Sequence, residues 1–278
     1  MSIETGLHCL ALHFVARRGI RSLPKWHGAR WHALLREASH LSGYNLEEIV
    51  FSCRPERNGE RHIQEGDSLF LNLLAPASAL KVFPLFLNAF AQCFAQGEFS
   101  AASLRLEKAQ DAINGKIVWL PNDRIMGEVL SFRTDYLLAA AERLASLDRW
   151  TLSLTSPLRL PLPAGHPERG EERDKYARPD FLRQKEGLKW LLGKLRFMPS
   201  EEAATDRLEP LEACCSLQWE DMRYNKSRKI ALGGITGQIV WRGRPRHETA
   251  LRLVLGRVLG AGKNPRFGLG FWDIPELA

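Results

Sequence analysis

Apolar positions along this chain fall into short blocks of two kinds. Residues 7–16 form a compact apolar block that runs straight into basic residues with no capping side chain, which predicts a first strand. Residues 27–41 place Trp31, Leu34, Leu35 and Ala38 at spacings of three and four, the stripe of an amphipathic helix. Strands are predicted at 49–53 and 68–74, flanking a turn at 55–59. Residues 77–95 set Val82, Leu85, Phe86, Ala89, Phe90 and Phe94 on one helical side, and Pro84 predicts either a kink or a later start. Strand, helix, strand, strand, helix is the order of a split βαβ, ferredoxin-like domain. Residues 116–120 offer a closing strand. The charged stretch 101–111 and a helix over 125–147, carrying Leu137, Leu138, Ala141 and Leu144, are expected to belong to a helical insertion or linker at about 97–147.

The pattern then repeats. Residues 150–154 alternate as a strand that prolines break at 157–163, and a charged loop spans 166–178. Pro179 opens a helix running to 195, strands follow at 217–222 and 237–241, then a helix at 247–259 and a last strand at 271–274. The expected fold class is therefore α+β: two tandem ferredoxin-like (RRM-like) domains, 1–148 and 149–278. The likeness between the halves is one of order only, without sequence identity.

Composition narrows the picture. The 278 residues are 45% hydrophobic and 26% charged, which excludes disorder, collagen and coiled coil. No apolar run reaches the roughly 18 residues of a membrane span. The first residues lack the basic start of a signal peptide, so no membrane and a cytoplasmic location are expected. The formal charge of +7 permits a polyanionic partner. Five cysteines show no CxxC pair, and there is no HExxH and no acidic cluster. Reduced thiols, no metal and no cofactor are the expectation.

Candidate chemistry concentrates at 260–270, GAGKNPRFGLG, where Gly260, Gly262, Gly268 and Gly270 surround Lys263 and Arg266. Glycines let backbone N–H groups approach a phosphate closely, and the two cations add charge. A nucleotide P-loop is excluded: Lys263 is followed by asparagine, no glycine stands five residues before Gly262, and the helix precedes the loop. From Arg242 through Arg266 there are seven Lys/Arg and one acid, Glu248. Such a basic, glycine-rich surface favours a phosphate backbone.

GGITGQIVWRG, then a helix, then GAGKNPRFGLGFW resembles the C-terminal signature of the CRISPR-associated repeat endoribonucleases of the RAMP superfamily. WTLSLTSPLRL at 150–160, the helix at 179–195 and WEDMRYNKSR at 219–228 are similar to that family's upstream segments, in order. In the first half the resemblance rests on a first strand, a basic loop ending in Leu23–Pro24, and a helix opening with His27–Gly28.

The resemblance implies a glycine-rich loop that grips the hairpin of CRISPR repeat RNA, with the protein retained among other subunits of an effector ribonucleoprotein. It also implies a metal-independent cut, in which a 2′-OH attacks the adjacent phosphate to leave a 2′,3′-cyclic phosphate and a 5′-OH. That reaction needs a base, an acid and cations for the phosphorane. Family members place a histidine in or before the first helix. Here His27 stands at the helix start, and His32, Arg36 and His40 share a helical face at i, i+4, i+8. The catalytic candidates are His27, His32, Arg36 and Arg242. The RNA-binding candidates are Arg17, Arg18, Arg21, Lys25, Arg30, Arg244 and Arg246, together with Gly260, Gly262, Lys263, Arg266, Gly268 and Gly270. Trp26, Trp31, Trp241, Phe267 and Phe271 flank the basic segments as possible stacking surfaces. The chain departs from the family in lacking a clear histidine–tyrosine–lysine set. Two readings therefore stand: a cleaving enzyme, or a non-cleaving crRNA-binding subunit. An unrelated small-molecule enzyme would need a cofactor motif that is not seen.

Overall fold

In the computed structural model of the chain, β1 (Leu7–Ala16) alternates buried and half-buried residues along its whole length. The structure describes residues 6–23, 27–50, 52–55, 61–96, 103–131, 134–167, 169, 175–195, 205, 207–223, 231–263, 265 and 268–277. Leu10, Leu12 and Phe14 point inward, and the period of two fixes their register. On one side β1 pairs antiparallel with β5 (Ser68–Pro76), placing Leu12 opposite Leu71 and Phe14 opposite Leu69. Three helices and three further strands belong to this part: β2 (Ile20–Leu23), α1 (Gly28–Ser42), α2 (Leu46–Ile49), β3 (Ser52–Pro55), β4 (Arg61–Ile63) and, after β5, α3 (Phe83–Gln96). β6 (Leu104–Asp111) and β7 (Ile117–Trp119) follow. The sheet order is β3-β5-β1-β6-β7, and β2 pairs with β4 separately. Renumbered within the βαββαβ unit, β3-β5-β1-β6 is the 2-3-1-4 order of a ferredoxin-like sheet.

Helices α1 and α3 pack together on the sheet's inner face. Phe14 meets Trp31 at 4.8 Å and Phe94 at 5.1 Å between ring centroids, and Phe90 meets Phe94 at 5.0 Å. Pro84 sits in the first turn of α3, where its missing N–H has no helical partner to lose, so it delays the helix start and does not kink it.

The same order recurs in the second part: α4 (Thr134–Ser146), β8 (Arg149–Leu158), α5 (Pro179–Leu182), α6 (Lys185–Leu192), β9 (Glu209–Pro210), β10 (Gln218–Arg223), β11 (Ala231–Arg242), α7 (His247–Leu259) and β12 (Trp272–Asp273). The sheet order β10-β11-β8-β12 is again 2-3-1-4, with β9 added beside β11. Trp150 and Trp241 face each other across β8 and β11 and stack with centroids 6.0 Å apart.

The helical insertion expected at 97–147 is corrected. Residues 104–111 are β6, the strand that closes the first sheet, and β7 extends it. The charges of β6 hide an alternation in which Leu104, Leu106, Ala109 and Asp111 are buried, broken by a bulge opposite His13 and Phe14. Only Thr134–Ser146 of the expected 125–147 helix is helical, and it packs on α7. Ahead of it, Ser131 is bridged to His8, and the His8 ring bonds the Val129 and Leu130 carbonyls at 3.1 Å. The chain divides into two compact units, Met1–Arg133 with Arg266–Gly268, and Thr134–Pro265 with Leu269–Ala278. That division falls before α4, whereas the sequence pattern set it at 148/149.

Ile49 ends α2 and does not start a strand. The single helix expected at 179–195 is two, α5 and α6, which approach so closely that a Cβ at Gly187 of α6 would collide with the Phe181 carbonyl. Among the described residues, no helix is long and apolar enough to cross a membrane.

Candidate nucleic-acid interface

Helix α1 begins without the usual protections. His27 occupies the N-cap position at φ −101°, ψ 3°, its side chain makes no capping bond, and the first turn holds no acid. The His27 carbonyl accepts the N–H groups of Arg30 at 3.0 Å and Trp31 at 3.4 Å. First-turn N–H groups and the helix dipole together favour an anion at such an end.

The His27 ring is only 3% exposed. The Trp31 indole N–H donates to its Nδ1 at 2.8 Å. A nitrogen that accepts carries no proton, so the neutral imidazole holds its proton on Nε2. In this arrangement His27 presents a hydrogen-bond donor rather than a base. The sequence offers Trp31 as a core residue of the helical stripe and as a stacking candidate, not as a partner of His27. Its position four residues after His27 is what lets it serve both purposes.

Gly268 groups with the first unit. A Cβ there would press to 2.9 Å from Pro55 Cδ and 3.3 Å from the Cys53 carbonyl, with the Gly28 Cα 3.6 Å away. Its φ of +71° is also in the left-handed region. Glycine is thus required twice over at this point, and it stands beside the first residue of α1. Along α1, His32 is half-buried, while Arg30, Arg36 and His40 are exposed.

In the second unit the glycine-rich loop is closed at its base. The Gly260 N–H returns to the Gly256 carbonyl at 3.0 Å, and the Ala261 N–H bonds the Gly270 carbonyl at 2.9 Å. The Gly270 N–H reaches Pro157 O at 2.9 Å and the Lys263 N–H reaches Arg159 O at 2.8 Å. The loop is therefore fastened to the end of β8. Gly262 and Gly270 have φ of +75° and +79°, and a Cβ on either would strike the carbonyl of Arg159 or Ala261. Lys263 is exposed; Arg266 lies outside the described residues.

The single basic surface expected over 242–266 is divided. Arg242, the last residue of β11, opposes Arg149 at the start of β8, whereas Lys263 is tied to Arg159 just past its other end. Ten strand residues at about 3.3 Å each separate the two by roughly 30 Å. Arg244 is engaged in a two-point ion pair with Asp148, at 2.8 and 3.2 Å, that holds the carboxyl below the usual carboxylate range. Arg246 is the exposed N-cap residue of α7.

In the first unit, Arg17 and Arg18 are exposed, and the Arg18 Nε donates to Ser103 Oγ at 2.8 Å. Arg21 lies in β2, its side chain outside the described residues, as is Lys25. Three of the stacking candidates are corrected: Trp31, Trp241 and Phe271 are buried in the cores. Trp26 and Phe267 lie outside the described residues.

No protein-family model and no curated protein matches the chain. Solved structures do. A partial Cas6-RT-Cas1–Cas2 complex aligns over 97% of this chain at TM-score 0.71 and 17% identity, and the chain spans 46% of that protein's length. Cas6 of Thermus thermophilus aligns over 97% of this chain and 98% of its own at TM-score 0.53 and 16% identity. An RAMP protein binding different RNA substrates aligns over 96% and 99% at TM-score 0.52 and 13% identity. The likeness is one of fold, and it agrees with the order of motifs across residues 150–274. The chain has the tandem ferredoxin-like fold of the Cas6 proteins of the RAMP superfamily.

Proposed function

We propose that this protein binds CRISPR repeat RNA and cuts it without a metal, and that it stays with the mature RNA among other Cas proteins. The observation that carries the reading is the acid-free start of α1 without a side-chain cap, where Trp31 fixes the buried His27 ring by its Nδ1 and Gly268 packs tightly on Pro55. A phosphate placed there meets helix N–H groups and a neutral imidazole donor. The Cas6 and RAMP folds aligned above support RNA as the polyanion, and the Cas6-RT-Cas1–Cas2 complex supports Cas proteins as partners.

In the proposed reaction the 2′-oxygen forms a bond to phosphorus as the bond to the 5′-oxygen breaks. One proton leaves the 2′-OH and one is delivered to the 5′-oxygen, so the net proton change is zero. His27 Nε2–H hydrogen-bonds a non-bridging oxygen as charge builds on it. His32 exchanges the proton, and Arg36, one turn on, holds the phosphate charge. Arg17, Arg18, Arg21, Lys25, Arg30 and the 260–270 loop position the RNA backbone. Arg242, Arg244 and Arg246 form a separate basic edge that we leave out of the chemistry.

The test is incubation with repeat RNA in excess EDTA and analysis of the product ends. A 2′,3′-cyclic phosphate and a 5′-OH are expected, with H27A and H32A each slowing single-turnover cleavage by about 100-fold or more. Tight binding with uncut RNA would instead favour the non-cleaving crRNA-binding subunit. The observation on that side is that Trp31 occupies the His27 nitrogen that would otherwise take a proton.

A further inference from the structure

Two arginines of the second unit are almost wholly buried, and they differ in one respect. Arg252, 1% exposed, is paired with Glu248 at 3.2 Å. Arg159, 8% exposed, has no ion pair and no hydrogen bond to its guanidinium among the described residues, and its Nε is buried without a partner. Its planar group lies 4.3 Å over the Tyr176 ring, whose centroid is also 5.9 Å from Lys175 Nζ. Burial pulls the Arg159 pKa below the ordinary arginine value. A buried cation without a counter-ion is costly, and an anionic ligand would supply the missing charge.

The backbone around Arg159 is fixed from both sides. Its carbonyl accepts the Lys263 N–H of the glycine-rich loop at 2.8 Å. On the other side, Ala177 N–H bonds the Leu160 carbonyl at 2.8 Å, Leu162 N–H bonds that of Lys175 at 2.8 Å, and Pro161 is bridged to Tyr176. The Arg159 backbone is thus tied to the base of the loop, and its guanidinium lies over the Tyr176 ring.

We propose that Arg159, oriented by Tyr176, is an anion site that takes a backbone phosphate of the bound RNA where the strand passes the glycine-rich loop. This rests on the RNA-binding reading above and deepens it: the loop's glycines allow its close packing on Arg159 and Ala261, and Arg159 supplies the charge beside it. Guanidinium suits the role because its planar fork matches two phosphate oxygens.

The experiment measures binding of a labelled repeat hairpin RNA by wild type, R159Q and R159K across a salt series, together with the melting temperature of each free protein. R159Q is expected to weaken binding by about 10- to 100-fold. It should also flatten the slope of log K against log salt by about 0.7 to 0.9, the contribution of one phosphate. The free R159Q protein should melt no lower than wild type, because the substitution removes a buried charge that has no ion pair among the described residues. R159K, a point charge without the fork, should fall between the two. A lower melting temperature with unchanged RNA affinity and slope would assign Arg159 to packing and overturn the site. A melting-temperature gain in inorganic phosphate that R159Q lacks, with RNA binding unaltered, would assign the site to a free anion and overturn the RNA phosphate. If wild type itself binds no repeat RNA, the RNA-binding reading falls; if wild type binds and R159Q binds alike, only Arg159 falls.

Discussion

A single hydrogen bond decides what His27 is able to do. With Trp31 donating to Nδ1, taking up a second proton on the ring means giving up that bond, so His27 works as a neutral donor. Trp31→Phe keeps an aromatic ring against Phe14 and Phe94 and removes only the donor. The expected result is a changed pH profile of the cleavage rate, read by single-turnover kinetics from pH 5 to 9. An unchanged profile would remove Trp31 from the chemistry. His13 is different: half-buried on β1, it stacks on Phe70 at 4.8 Å and bonds Ser68 Oγ at 2.9 Å. Burial, and then the charge of Lys108, lowers its pKa. A lowered folded-state value means the neutral ring contributes stability above about pH 6.5, and that stability is lost as the pH falls through the lower folded value. Melting of wild type should therefore decline relative to His13→Gln between pH 7 and pH 5. Residues like these were only half legible. His27 and His13 could be placed on a helix start and a strand from spacing, but their partners come from the fold.

At the scale of elements, the patterns that read correctly were those with one dominant period. β1 and α7 ended where alternation or the 3.6-residue stripe ended. β6 was misread as part of a helical insertion because the charges of Arg105, Glu107, Lys108 and Asp111 obscure its alternation, whereas Asp111 is fully buried. Its carboxylate accepts the N–H groups of Ile113 at 2.7 Å, Asn114 at 3.2 Å and Leu130 at 2.5 Å. It closes the β6–β7 turn and ties in the chain at Leu130. Asp111→Ala should destabilise the fold by about 1–3 kcal/mol, because buried N–H groups lose their acceptor, as measured by urea denaturation. Helix-to-strand packing carries the same kind of hidden constraint. A Cβ at Gly256 would enter the Trp272 ring, whose indole N–H is held by the Leu253 carbonyl at 3.0 Å. Ala is intrinsically the better helix former by up to about 1 kcal/mol. Gly256→Ala should nonetheless lower stability by about 1–3 kcal/mol through overpacking, and a gain in the same denaturation assay would show that the strand gives way.

For the whole molecule, topology was legible because a repeated order of elements survives even where individual boundaries slip. What linear order concealed was distance. A run of seven cations from Arg242 to Arg266 reads as one patch, but α7 carries the chain from one end of the second sheet to the other. The two ends differ in what they offer a polyanion. Arg244 is already committed to Asp148, while Lys263 projects exposed from a loop whose glycines hold it against the end of β8. A formal charge of +7 attracts RNA to the protein as a whole, and that attraction is shared among many residues and screened by salt. Contact with a particular phosphate is not shared, and it shows as a change in slope. Lys263→Ala is therefore expected to weaken repeat-RNA binding and to flatten the plot of log K against log salt by about 0.7 to 0.9. Arg242→Ala is expected to leave both the slope and the single-turnover cleavage rate where they are in wild type. Fluorescence titration at four or more salt concentrations separates the two, and equal slope changes from both substitutions would mean that the RNA runs the full length of the second sheet.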